Sequence, residues 1–360
     1  MQISGVRTTL LASVAATVAS GAPALSADVV RTDFQVQSEP GINLFVREVR
    51  SAETGEQAAP VLLLHGARVG GLASFDVDVS DMSLAEDLAE AGYAVYVADL
   101  RGYGRSSFPA SMEGDRFASP PAVPTAEAVE DVKTILDMIA ERHPDAPISA
   151  FGWATGSHWL AATEAAHPGA IDRLVFFNSV YGGQGDWRLT ANFAVEGAPA
   201  KFDYEKFGSY RLSDADSLVG RWTEAEGIGD AFIARYVELA MEGDPTAGTR
   251  DPASFRHPSG PIADTLRAVN DAPLYDAGEM HSSVLILRSG NDFWSRPVDA
   301  TTMAQDLTAA ADVTVHELPG ASHYIHLEPG EGRDAFFRVV TDYLADGKLD
   351  GVGAETPGEG

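Results

Sequence analysis

Short runs of consecutive apolar residues alternate along this chain with longer segments whose apolar residues recur every three or four positions. The first pattern predicts buried strands and the second predicts helices packed on one face. Strands are expected at Ile42 to Val46, Val61 to Leu64, Ala94 to Ala98, Ile148 to Phe151, Leu174 to Phe177, Val284 to Leu287 and Val313 to Glu317. Helices are expected around Leu84 and Leu88, from Thr125 to about Arg142, from Gly156 to Ala166, near Val298 to Ala309, and from Gly332 to Leu344. The Thr125 helix should bury Val129, Val132, Ile135, Leu136 and Ile139, which share one face at helical spacing. Strands and helices in alternation predict an α/β fold, a mostly parallel central sheet with helices on both faces.

The alternation stops between about Tyr181 and Ala277, where the chain becomes irregular and rich in aromatics, among them Trp187, Phe193, Trp222 and Tyr236. An insertion between sheet elements predicts a helical cap over the strand ends, where open α/β sheets bind ligands. The expected organisation is therefore a core in two parts, 28–180 and 278–348, with a cap at 181–277 between them. The cap aromatics either line a pocket or form the cap's own core, and for any single one the core is the expectation. A loose tail, rich in Gly and acidic residues, is expected at 349–360.

Composition changes the picture in three places. Fifty-three acidic side chains against 25 basic ones leave a net charge of −28 over 360 residues. Such a surface repels phosphate backbones and anionic lipid, which argues against nucleic-acid and membrane partners and leaves a small-molecule substrate or ligand. The N-terminus reads as an export signal over residues 1–27: Arg7 is basic, Leu10 to Ala22 is apolar and rich in small residues, and Ala24-Leu25-Ser26-Ala27 offers a cleavage site. The mature protein is then expected to be periplasmic or secreted. There is no cysteine, so no thiolate is available as a nucleophile. The His and carboxylate residues show no metal-ligand spacing, and neither a metal nor a cofactor is expected.

The segment Ile148 to Ser157 runs from an apolar strand into Gly152-Trp153-Ala154-Thr155-Gly156 and then into a helix. This is the outline of a nucleophile elbow with Ala154 at its apex, where the usual pattern carries Ser. Further segments follow in a consistent order: His65-Gly66 after a strand, Asp99 to Ser106, Asp292 after Val284 to Leu287, and Ser322-His323-Tyr324-Ile325-His326-Leu327-Glu328. Together they resemble the α/β-hydrolase-fold superfamily with a cap, over about residues 40 to 345. The resemblance implies His323 as general base, Asp292 as the acid that orients it, and an oxyanion hole from the backbone N–H groups of Thr155 and Ala67. It also leaves Ala154 as a substituted nucleophile. His326 is the competing base and is expected to pack behind the site; His158 and His167 belong to the helix after the elbow. Arg68 has two readings, a clamp for a substrate carboxylate or a partner for a surface acid. Trp153 and Trp294 are candidates for the pocket wall. Ser157 lies inside the helix, too far along to replace the nucleophile.

Three functions are compatible with these residues. The first is a hydrolase-type enzyme for a small ester or lactone, in which the His323–Asp292 dyad activates water. The second is a cofactor-free oxygenase or lyase that uses the same dyad as a base. The third is a non-catalytic small-molecule binding protein.

Overall fold

The computed structural model describes residues 28–349 apart from 56, 80–81, 184 and 223–226. The expected export signal and all but the first residue of the expected tail lie outside the described residues. The chain opens with β1 (Val29–Glu39) and β2 (Ile42–Ser51), an antiparallel pair. There follow β3 (Pro60–Leu64), α1 (Gly71–Phe75), α2 (Leu84–Glu90), β4 (Ala94–Ala98), α3 (Thr125–Arg142), β5 (Ser149–Trp153), α4 (Thr155–Ala166) and β6 (Arg173–Phe177).

The cap holds α5 (Thr190–Phe193), β7 (Ala194–Val195), β8 (Ala198–Phe202), α6 (Tyr204–Phe207), β9 (Tyr210–Asp214), α7 (Ala215–Val219), α8 (Asp230–Glu242), β10 (Ser254–Pro258) and α9 (Gly260–Ala268). The core then resumes with β11 (Ser283–Ser289), α10 (Pro297–Asp306), β12 (Asp312–Leu318) and α11 (Glu331–Asp346).

Eight strands form one sheet in the order β1-β2-β4-β3-β5-β6-β11-β12. From β4 to β12 every pairing is parallel. Strands β3, β4 and β5 are buried along their whole length, as the apolar runs require. Helices lie on both faces, and each face buries its own apolar cluster. Helix α3 buries Val132, Ile135, Leu136 and Ile139, whereas Val129 is only half-buried. The expected face is rotated slightly, because Asp131 is also turned inward and accepts from Arg101 Nε at 2.8 Å and Nη2 at 2.6 Å.

Two features depart from the sequence reading. Strand β1 was not expected; it is polar, alternates half-buried with exposed positions, and sits at the sheet edge, so it has no apolar run to announce it. The cap is not purely helical either: β7 pairs with β8 and β9 with β10, both antiparallel. The β9–β10 ribbon joins segments far apart in sequence, and β10 (Ser-Phe-Arg-His-Pro) is buried without being apolar. Much of the cap's aromatic content packs on itself, with Trp222 against Phe232 at 5.6 Å and Tyr236 at 5.3 Å. Among the described residues no helix is long and apolar enough to cross a membrane.

Candidate active site

The site assembles where β3, β5, β11 and β12 end, on one edge of the parallel sheet. Strand β5 turns directly into α4, and Ala154 is the single residue between them, with φ 52° and ψ −113°. A non-glycine residue there carries on the order of 1–3 kcal/mol of backbone strain, sustained only if the surroundings over-determine it. They do: Ala154 N–H donates to Phe177 O at 2.8 Å, and Ala154 O accepts from Ser157 N–H at 3.1 Å. The flanking glycines make the turn possible. A Cβ on Gly152 would sit 2.5 Å from Ser157 N, and one on Gly156 would sit 2.2 Å from Leu64 O. Both obstacles are backbone and cannot step aside. Gly156→Ala is therefore expected to cost about 3 kcal/mol or more in urea unfolding. An unchanged midpoint would contradict this close approach.

The side of the cavity expected to offer oxyanion donors is formed by β3 and the loop after it. His65 is fully buried, and burial pushes its pKa down to about 4, so it is neutral. Its Nε2 accepts from Leu100 N–H at 3.3 Å, so the proton is on Nδ1, which donates to Gly66 O at 2.7 Å. A trans peptide points its N–H opposite to its C=O. Fixing Gly66 O therefore fixes the direction of Ala67 N–H. The same loop is tied further on, where Asp99 Oδ1 accepts from Gly71 N–H at 2.6 Å and Oδ2 from Arg105 N–H at 2.8 Å. Burial raises the Asp99 pKa to about 6, against the pull of these two donors. The Asp99–Ser106 segment thus serves as a buttress. Thr155 is the first residue of α4, so its N–H has no intrahelical acceptor and lies at the positive end of the helix dipole.

Asp292 and His323 come together. His323 Nδ1 lies 2.6 Å from Asp292 Oδ1, and both side chains are buried. Asp292 also accepts from Trp294 N–H at 3.0 Å, from Ser295 N–H at 2.7 Å and from the Ser295 hydroxyl. Burial alone would raise its pKa, but the charge and hydrogen bond of His323, with the Ser295 and Trp294 donors, hold it below the ordinary carboxylate range. An acid held lower in the folded than in the unfolded state stabilises the fold above its ordinary value, and that contribution fades as pH falls through the folded value. Asp292→Asn is accordingly expected to lose on the order of 2 kcal/mol at pH 7. The gap between the two proteins should close as pH drops below about 4. A gap in chemical denaturation that is constant with pH would contradict this.

A cavity of about 190 Å³ opens onto these groups. Ala154, Thr155, Ala67 and His323 line it, as do Arg68, Trp153 and Trp294. Of the eight positions expected from sequence, only Asp292 is set back, behind His323. Phe293 and Tyr324 flank the imidazole at 4.5 and 4.9 Å between ring centroids, and Trp153 at 5.1 Å. Larger clefts lie elsewhere, one of about 550 Å³ beside α3 and α9, but none of these groups lines it.

The remaining candidates fall into place. His326 is fully buried behind Trp153, 4.5 Å between rings, with its pKa driven well down by burial. His158 is buried and bonded to Val180 O; His167 caps the end of α4. The Ser157 hydroxyl donates to Gly152 O at 2.6 Å and is engaged there. Arg68 reaches into the cap, donating through Nε to Ser213 Oγ at 3.1 Å and through Nη2 to Ser217 Oγ at 2.8 Å.

Three contributors were missed. Asn178, at φ 52° just after β6, accepts from Ser289 N–H at 2.7 Å and donates to Ser289 Oγ at 3.1 Å, which ties the exit of β6 to that of β11. Its signal was a short polar residue directly after an apolar strand. Ser295 had no signal beyond its spacing from Asp292. Arg211 lines the cavity from the cap strand β9, which the sequence did not announce.

Comparison with known proteins agrees with this architecture. The family model for serine aminopeptidases (S33) matches residues 77–220, which include the elbow but neither Asp292 nor His323. No curated protein sequence matches. Among solved structures, the chain is similar to the 2-hydroxy-6-oxo-6-phenylhexa-2,4-dienoate hydrolase from Rhodococcus sp., at 15% identity and TM-score 0.58 over 88% of this chain and 100% of that one. It is similar to the enol-lactonase from Burkholderia xenovorans, at 19% identity and TM-score 0.55 over 86% of this chain and 100% of that one. A thioesterase domain from the curacin biosynthetic pathway matches at 15% identity and TM-score 0.56, over 87% and 99%. At these identities the likeness establishes a hydrolase-type α/β fold.

Proposed function

We propose that this chain belongs to the α/β-hydrolase-fold superfamily and is a hydrolase-type enzyme for a small ester or lactone that works without an acylated side chain. The observation that carries this reading is the 2.6 Å His323–Asp292 contact beside a cavity shared with Ala154, Thr155 and Ala67. Asp292 engages Nδ1–H, which leaves Nε2 as the proton acceptor. A water oxygen attacks the carbonyl carbon while Nε2 takes the water proton. The carbonyl oxygen becomes an oxyanion held by the N–H groups of Thr155 and Ala67, each worth roughly 2.7–4 kcal/mol in such a setting. The carbon–oxygen bond to the leaving group then breaks, and His323 returns the proton to the departing alkoxide. The products are a carboxylic acid and an alcohol, or one hydroxy acid from a lactone.

Serine-protease sites stripped of their nucleophile keep roughly 10³–10⁴-fold catalysis over water. The substrate should therefore be reactive, an activated ester or a strained lactone. We infer in addition an exported protein, from Arg7, the apolar stretch to Ala22 and the Ala24–Ala27 cleavage site. One observation favours a second reading: a base with no acylatable side chain opposite it also suits removal of a substrate proton. The test is release of p-nitrophenol from p-nitrophenyl acetate, and lactone opening, by the unaltered protein. Turnover above buffer supports hydrolysis; oxygen uptake with oxidisable aromatics and no hydrolysis supports the second reading. Neither signal would overturn both.

A further inference from the structure

We propose that the cavity takes a substrate bearing a carboxylate, held by Arg211 with Arg68, while its reactive carbonyl lies over Ala154. The inference rests on the site reading above and narrows it to an anionic substrate class. In a chain with 53 acidic and 25 basic residues, two arginines line this cavity, and no Asp or Glu does among the described residues. Arg211 makes no ion pair among the described residues. Its Nη2 donates to Ala67 O at 3.2 Å and to Pro258 O at 3.3 Å, and its Nε is buried without a partner. Phe193 covers the guanidinium at 5.5 Å.

A half-buried cation without a counter-ion is unfavourable, and an arginine answers by finding an anion rather than by losing its proton. Burial, with Arg68 nearby, lowers the Arg211 pKa to about 10 against the opposing pull of Tyr103, which leaves the charge in place at neutral pH. A substrate carboxylate would supply the missing counter-charge and match the planar fork. The position also sets the spacing. Arg211 bonds the carbonyl of Ala67, the residue whose N–H serves the reacting carbonyl, so only a short spacer fits between the two groups.

The test is a titration of tryptophan fluorescence, since Trp153 and Trp294 line the cavity. The probes are 5-oxohexanoate, a ketone that cannot be hydrolysed as an ester, and its neutral counterpart 5-oxohexanamide. The unaltered protein is expected to bind the anion at least about tenfold more tightly. Arg211→Gln should remove that preference, while Arg211→Lys, which keeps the charge but not the fork, should retain part of it. Equal affinity for the two probes in the unaltered protein would overturn the proposal, and that comparison needs no variant to fold. A preference that survives Arg211→Gln in full would also overturn it and would leave the anion to Arg68 alone or to His323. A purely structural Arg211 would weaken both probes together. No turnover is involved, so failure of the hydrolase reading and failure of this one are separate results.

Discussion

His323→Ala is expected to lower ester or lactone turnover by at least about 10³-fold with little change in KM. Among the described residues, the imidazole is the one group on the cavity wall suited to take a proton from water. General-base assistance of this kind contributes about 10²–10⁴-fold. Here the loss should sit at the upper end, because no nucleophile remains to carry residual catalysis. The ring is held rather than loosely placed. Asp292 fixes Nδ1 at 2.6 Å, three donors from Trp294 and Ser295 hold Asp292 in turn, and Phe293 and Trp153 flank the ring. Removing the imidazole takes away the base but not the hole, so substrate binding should survive. The measurement is kcat/KM on p-nitrophenyl acetate for both proteins. Equal values would show that the turnover arises elsewhere on the surface.

Ala154→Ser is expected to act in the opposite direction and to raise hydrolysis of the same ester by at least about 10²-fold. Loss of the serine from a working triad lowers kcat by about 2 × 10⁶ in subtilisin. A site not refined for acyl transfer should recover only part of that. The backbone asks for no change: position 154 already holds the φ of 52° that an elbow needs, and Gly152 and Gly156 already clear its path. The new hydroxyl would extend from a Cβ that already lines the cavity with His323, Thr155 and Ala67. The Ser157 hydroxyl does not substitute for it, since it is bonded to Gly152 O. Unchanged activity in a folded variant would mean that base and oxyanion donors are not poised around the apex.

Much of this arrangement was legible in the residues. Strands such as β3, β4 and β5 are buried throughout, so their sequences are apolar throughout and mark themselves. The pairing of Asp292 with His323 was legible because each lies within five residues of a strand end, Asp292 after β11 and His323 after β12. What was hidden depends on closure in three dimensions. Arg211 belongs to a ribbon whose partner strand, Ser254–Pro258, is not apolar, so neither strand is visible until both are paired. His65 was read as a motif without a task; its role appears only once Leu100 and Gly66 are seen on its two nitrogens. Arg68 could be weighed for clamp or surface partner from sequence, but its contacts with Ser213 and Ser217 required the cap to fold over it.

The central claim is that His323, Asp292 and two backbone N–H groups already surround the methyl group of Ala154 in working geometry. Pre-steady-state release of p-nitrophenol by the Ala154→Ser variant tests it most directly. A burst of close to one equivalent per chain is expected, as the new hydroxyl is acylated, followed by slower turnover. A folded variant that releases p-nitrophenol linearly from the first turnover, at the rate of the unaltered protein, would contradict it.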